Sequence, residues 1–288
     1  LTSVEFLLNK PLDYISTLVT LQVIIKLVNK NLIGVFDAIK AAWELIQKNL
    51  GLFLLLGVGP QVVYTLLALI IFAPLDKNFN PNSPAFFSSL APLFSGLIIL
   101  FVLSLILGTL VSILQILLVI KTDRGEPVTL DSMLKDGVKV FFTFLITEVL
   151  VGLAVFAGIL LLIVPGIIFA VWFFAAIYIV VGENKGAFAA MSESKNLVSG
   201  LTWEVLWRFI AGILLLIVVS IVVSIPLAPL TSGLGRGNLL VNLLQSFVNG
   251  ALSIVGVAYS YTIYKSLKAI KSSQPTPAPE QPVVTQAT

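Results

Sequence analysis

Residues 140–181 read VFFTFLITEVLVGLAVFAGILLLIVPGIIFAVWFFAAIYIVV, with one charged residue, Glu148, in the whole stretch. As a single helix it would be about 63 Å long at 1.5 Å per residue, twice the ~30 Å hydrocarbon core of a bilayer. One helix does not fit. The strong breaker inside the run is Pro165-Gly166, where proline removes an amide donor and glycine permits a turn, so the sequence predicts a helical hairpin turning at Pro165 and Gly166. Each arm then has nearly spanning length.

The same reading extends outward. Further apolar segments cover approximately 50–73, 93–120, 205–228 and 239–264, which with 140–163 and 167–181 makes six. The chain has 288 residues, 58% hydrophobic and 11% charged, whereas soluble domains carry roughly 45–50% apolar and about 25% charged residues. The expected fold class is all-α, a polytopic membrane protein of about six transmembrane helices. In the first span Gly57, Gly59 and Pro60 predict a kink whose freed backbone groups need a neighbouring helix or water.

Basic residues set the orientation, since Lys and Arg beside spans stay on the cytoplasmic side. With both termini inside, the inner segments hold Lys10, Lys26, Lys30, Lys40, Lys48, Lys121, Arg124, Lys135, Lys139, Lys185, Lys195, Arg208, Lys265, Lys268 and Lys271, leaving Lys77 and Arg236 outside. Odd span numbers would put Lys121–Lys139 and Lys265–Lys271 on opposite faces. The expected location is a plasma membrane, crossed several times, with both termini cytoplasmic. Membrane topology accounts for the net charge of +3, and no nucleic-acid partner is implied.

Three domains are expected. Residues 1–35 form an N-terminal interfacial segment, with a helix over 14–28 interrupted by Gln22 and Lys26, and no cleaved targeting sequence is assigned. The six-span domain covers 36–271. Residues 272–288, SSQPTPAPEQPVVTQAT, read as a disordered tail, or as a polyproline segment that docks a partner.

Within the six-span domain, amphipathic segments precede spans one, three and five: FDAIKAAWELIQKNL from 36, LDSMLKDGVKVFFTF from 130 and FAAMSESKNLVSGLT from 188. Phe36, Leu130 and Phe188 align, as do Ile39, Met133 and Met191. The plan is a surface helix plus a two-span hairpin, three times over, in units of about 36–120, 129–181 and 187–264, by true repetition or by convergence.

Residues 160–216 resemble the membrane-domain family attached to some bacterial glycerophosphoryl diester phosphodiesterases, and related stand-alone membrane proteins of unknown role. The likeness rests on IVPGIIFAV, VGENKGAFAAM and SGLTWEV, and on FDAIKAAWELIQKNLGLFLLL near the N-terminus. It implies a multi-pass module over residues 36–265. The phosphodiesterase activity of the family's soluble domain does not carry over, since that domain needs catalytic histidines and this chain has none.

The chain also lacks cysteine, which excludes thiolate and imidazole metal sites, Cys nucleophiles and Ser-His triads. No catalytic residue, cofactor or metal is assigned; Asp123, Glu126, Asp131 and Asp136 read as a solvated charged surface. The candidate intramembrane polar site is Glu148, Arg208, Asn242, Gln245 and Asn249. Glu148 lies about 13 Å beyond Lys139 along a helix, where a charge is costly. It pairs with Arg208, or sits as a protonated acid while Arg208 takes Glu204 or snorkels, or serves proton coupling. Asn238, Asn242, Gln245, Asn249, Ser253, Gly256 and Ser260 share one face of span six, for interhelical hydrogen bonds or for a polar pathway. Ser104, Gly108 and Ser112 suggest close packing of span two. Membrane lipids are the expected partners, with a protein partner reached through the surface helices or the tail. The function read from these features is a non-enzymatic lipid- or partner-organising membrane module; the alternative is a small-solute transporter or channel.

Overall fold

The computed structural model describes residues 32–76, 86–226, 229 and 238–273. The 14–28 segment, Lys77, Arg236 and the tail beyond Ser273 lie outside them. In chain order the helices are α1 (Val35–Lys48), α2 (Leu50–Asp76), α3 (Phe86–Arg124), α4 (Leu130–Leu161), α5 (Ile163–Phe173), α6 (Ala176–Glu183), α7 (Ala187–Val198), α8 (Thr202–Ser224) and α9 (Leu239–Ser272). Among the described residues there is no strand. Among the described residues six helical stretches are long and apolar enough to cross a membrane: α2, α3, α4, α5 with α6, α8 and α9. Helices suit a bilayer because each satisfies its own backbone where no water can.

The spans form a ring. α2 packs on α3 and α9, α3 on α4, α4 on α5, α5 on α8, and α8 on α9. α6 turns inside the ring against α3 and α4, so 39% of the fourth span's apolar window is buried against 11% of the fifth. Tyr178 of α6 stacks on Tyr264 of α9 at 5.6 Å and donates to the Val257 carbonyl at 3.0 Å.

The hairpin forms, but its turn is displaced from the predicted place. The backbone is extended at Leu162 (φ −165°, ψ 152°), between α4 and α5. Pro165 lies in the first turn of α5, where a missing amide breaks no intrahelical bond. Gly166 lets the arms meet: a Cβ there would lie 2.9 Å from the Ile159 backbone nitrogen, and one on Gly158 would lie 2.8 Å from Gly166 Cα.

A second interruption, at Phe174–Ala175, has no proline or glycine to announce it. The hydroxyl of Ser194, brought by α7, donates to the Trp172 carbonyl at 2.7 Å and accepts from the Ala175 amide at 3.2 Å. A side chain inserted into the ladder is an established cause of a helix break.

The proline in the first span is handled differently. α2 runs through Pro60 unbroken. Proline lacks the N–H that would reach the Leu56 carbonyl one turn back, and Gln115 of α3 supplies a donor to that oxygen at 2.9 Å.

A short helix stands as a separate element ahead of its span in two of the three places. α1 is separated from α2 at Asn49, whose amide donates to Thr122 at 3.0 Å. α7 is separated from α8 by Gly200, at φ +84°. The middle segment is continuous with its span as α4, because no breaker lies between Leu130 and Leu161. The aligned positions nonetheless share environments. Phe36, Leu130 and Phe188 are exposed, whereas Met133 is buried and Ile39 and Met191 pack against the core.

Candidate functional site

The ends of the spans meet in a charged collar. Asp123, in the last turn of α3, accepts from Tyr261 at 2.9 Å and is paired with Lys265 at 2.6 Å. Glu183, the last residue of α6, accepts from Tyr264 at 2.9 Å and is paired with Lys268. Both acids lie at helix C-termini, where the backbone dipole repels negative charge. The two Tyr-Lys clasps, three residues out of step on α9, offset that repulsion and tie spans two, four and six together.

Lys121 reaches Asp136 at 2.8 Å and Lys139 reaches its other oxygen at 3.1 Å, joining α3 to α4. Lys185 bridges Glu183 at 2.8 Å and also Glu193. Hydrogen bonds to Glu183 and Glu193 raise the Lys185 pKa above its usual value.

Indole rings mark the depth of this end. Trp43 on α1 and Trp203 and Trp207 at the start of α8 are exposed, as are Phe36 on α1 and Phe188 on α7. Exposed tryptophans collect at the headgroup level of a bilayer. Three crevices open in the collar. One, of about 430 Å³, lies between α1 and α9 beside Lys48 and Lys265. A second, about 330 Å³, is lined by Arg124, Lys265 and Lys268. The third, about 310 Å³, is lined by Lys121, Arg124 and Lys139 together with Glu126 and Asp136.

The acids of the 123–136 region do not converge. Glu126 is 3.7 Å from Arg124 and Asp131 is 2.8 Å from Lys135, while Asp123 and Asp136 take the partners above. Among the described residues no three acidic side chains gather as a metal site requires.

Glu148 and Arg208 are not brought together. Arg208 donates to the Leu32 and Ile33 carbonyls, each at 2.6 Å, and to the Glu204 carbonyl at 3.0 Å, with the Glu204 carboxylate at 3.9 Å. It therefore anchors the strand of chain entering α1. Glu148 accepts from Thr109 of α3 at 2.9 Å. An extended segment's carbonyls, which no helix satisfies, compete successfully for the guanidinium; sequence spacing does not reveal them. A double-mutant cycle of Glu148→Gln and Arg208→Leu, read by stability in detergent, is expected to be additive within about 0.5 kcal/mol. A larger coupling would restore the pair.

On span six the predicted residues Asn242, Gln245 and Asn249 lie beside a packed seam that the sequence did not single out, formed by Ser246 and Gly250. Ser246 bonds Thr65 of α2 at 2.6 Å and the Asn242 carbonyl at 2.7 Å. Gly250 lies against Gly57 and Val58. These residues are packing groups, and Asn242 is half-buried beside them. Gln245 and Asn249 are exposed, with the Gln245 amide donating to the Asn249 oxygen at 3.1 Å. The predicted site is thus dispersed: Glu148 meets Thr109, Arg208 holds the chain entering α1, Asn242 lies beside the α2–α9 seam, and Gln245 and Asn249 form an exposed amide pair.

Sequence reasoning missed the collar clasps, the Gln115 donor and the Ser194 insertion. A signal existed for one: Pro60 marks the Leu56 carbonyl as short of a donor, without saying which helix supplies it.

No protein-family model matches this chain, and no curated protein and no solved structure matches it.

Proposed function

We propose that this chain is a non-enzymatic multi-pass membrane module that organises anionic lipid at its charged collar, in a bacterial plasma membrane with both termini cytoplasmic. On this reading it is a relative of the membrane-domain family that residues 160–216 resemble. One observation carries the proposal: the crevices lined by Lys121, Arg124, Lys139, Lys265 and Lys268 open at the end where Trp43, Trp203 and Trp207 are exposed. These five cations stand against three acids in the same linings, Asp123, Glu126 and Asp136, and it is the basic charge left uncompensated near the headgroups that attracts anionic lipid, at about 1 kcal/mol per residue. The exposed short helices and the tail would serve a protein partner.

The test is thermal unfolding of the detergent-solubilised protein with added lipid. Phosphatidylglycerol is expected to stabilise it, by about 2.7 kcal/mol at a hundredfold excess over Kd, and phosphatidylcholine to do so much less. The difference should shrink in Arg124→Ala/Lys139→Ala and at high salt. Equal stabilisation by both lipids, unchanged by salt, would remove the proposal.

The alternative, a small-solute transporter or channel, has one observation on its side: Gln245 and Asn249 are exposed on a membrane-spanning helix.

A further inference from the structure

Two lysines of the collar stand apart from its ion pairs and from the three crevices above. Lys195, in the last turn of α7, holds its Nζ 4.7 Å from the centre of the Trp172 ring. Lys271, in the last turn of α9, donates to the Ser199 carbonyl at 3.2 Å. Among the described residues neither lysine has a carboxylate partner. The acids nearest in sequence are engaged elsewhere, Glu193 with Lys185 and Glu204 at 3.9 Å from Arg208. Both ammonium groups end at the turn between α7 and α8. Ser199 caps α7, and the Trp172 indole N–H donates to Thr202, the first residue of α8, at 3.2 Å. Two positive charges therefore gather about residues 199–202 with no carboxylate paired to them, whereas Lys121, Lys139, Lys265 and Lys268 of the crevices are each bound to an acid.

From this turn α8 runs into the bilayer with one side turned to lipid. Trp203, Trp207, Leu214, Val218 and Ile221 recur at helical spacing along that side, and all are exposed. The other side carries Val205 and Gly212, both buried, with Gly212 against Tyr259 of α9. The indole N–H groups of Trp203 and Trp207 have no protein acceptor among the described residues. An indole at headgroup depth rests its ring on the upper acyl carbons and offers its N–H to headgroup oxygens. Cations, then tryptophans, then aliphatic side chains follow the order of the parts of a phospholipid: phosphate, glycerol ester, acyl chain.

We infer that the α7–α8 turn seats one anionic phospholipid, with its phosphate at Lys195 and Lys271, its ester region at Trp203 and Trp207, and an acyl chain along the exposed side of α8. Charge selects the class. A zwitterionic headgroup brings its own ammonium up to two unpaired lysines, and a monoanionic headgroup brings none. Each basic residue at the membrane surface favours anionic lipid about fivefold. The inference rests on the reading of the collar as an anionic-lipid surface, and it adds to that surface a site that the crevices do not include.

The test uses the full chain with Trp43→Phe, which leaves Trp172, Trp203 and Trp207 as its tryptophans, reconstituted in vesicles of equal phosphatidylglycerol and phosphatidylcholine. Bromine on the acyl chains of one lipid or the other quenches indole fluorescence at short range. Brominated phosphatidylglycerol is expected to quench severalfold more than brominated phosphatidylcholine, and high salt to weaken the difference. Lys195→Gln/Lys271→Gln should bring the two lipids level, and Lys195→Arg/Lys271→Arg should keep the preference. Lys135→Gln should also keep it, since Lys135 is exposed on α4 and paired with Asp131. Monodisperse size-exclusion profiles establish that each variant is folded. Equal quenching by the two lipids in the Trp43→Phe chain would overturn the seat. If phosphatidylglycerol still stabilises that chain against heat, the collar reading stands without it; if it does not, both fall. A preference that survives Lys195→Gln/Lys271→Gln would overturn the assignment to these lysines. Loss of preference in the arginine variant as well would overturn the role of charge, leaving the packing of Lys195 on Trp172 as the cause.

Discussion

Gly250→Ala is expected to cost about 1–3 kcal/mol of stability in detergent, the range for overpacking a tight interface, measured by denaturant titration in mixed micelles. The seam of α2 and α9 is held at backbone contact. A Cβ on Gly250 would lie 2.6 Å from both the Gly57 carbonyl oxygen and Val58 Cα. The obstacles are backbone atoms on a helix, which cannot swing aside as a side-chain tip can, so the helices must separate. Separation would stretch the 2.6 Å Thr65–Ser246 hydrogen bond on the same seam. In a membrane, close approach of small residues supplies van der Waals contact where no hydrophobic force acts between helices. The control is Gly152→Ala, where a Cβ meets nothing within 4 Å; it should be neutral or mildly stabilising. Equal effects at Gly250 and Gly152 would contradict the packed seam.

Gln115→Leu is expected to cost about 1–3 kcal/mol, the penalty for leaving a buried polar group without its partner. Its background dependence is the sharper prediction. The Leu56 carbonyl needs Gln115 because Pro60 has no amide hydrogen to give it. Pro60→Ala restores that hydrogen and lets the α2 ladder close on itself. In a Pro60→Ala chain, Gln115→Leu should therefore lose most of its effect, a coupling of about 1–2 kcal/mol in the double-mutant cycle. Additive effects would show that Gln115 acts through something other than the orphaned carbonyl.

Particular residues show how far sequence reasoning reaches into this fold. The six spans are legible because a bilayer imposes length and apolarity on contiguous residues, and the run from Val140 to Val181 is too long for one crossing. Charge placement is legible for the same reason: Lys121, Lys139, Lys265 and Lys268 lie beyond the apolar segments and gather at one end. Pro165 and Gly166 announced a hairpin but misplaced its turn by three residues, because proline is as comfortable in the first turn of a helix as in the loop before it. The break at Phe174–Ala175 had no local sign, since its cause is the hydroxyl of Ser194 on another helix.

The site was less legible than the fold. Glu148 and Arg208 have opposite charges and comparable depths along their helices, yet depth says nothing about which faces meet across the ring. Arg208 instead found the carbonyls of Leu32 and Ile33, two groups that look unremarkable in any sequence. The sequence put Asn242, Gln245 and Asn249 on one side of span six, yet Asn242 is half-buried beside the packed Ser246 and Gly250 while Gln245 and Asn249 are exposed, a difference that depends on how near α2 comes at each level.

By itself the sequence determined that the chain is helical, that it crosses a membrane about six times, and which ends of its spans carry charge. These are properties of contiguous residues and of the solvent they require. Only the tertiary structure decided that Asp123 and Glu183 are clasped by Tyr261, Lys265, Tyr264 and Lys268, that Gln115 completes the helix around Pro60, and that Arg208 is taken up by the Leu32 and Ile33 carbonyls. Those outcomes rest on contacts between residues far apart in the chain, where helix rotation by one residue changes every partner.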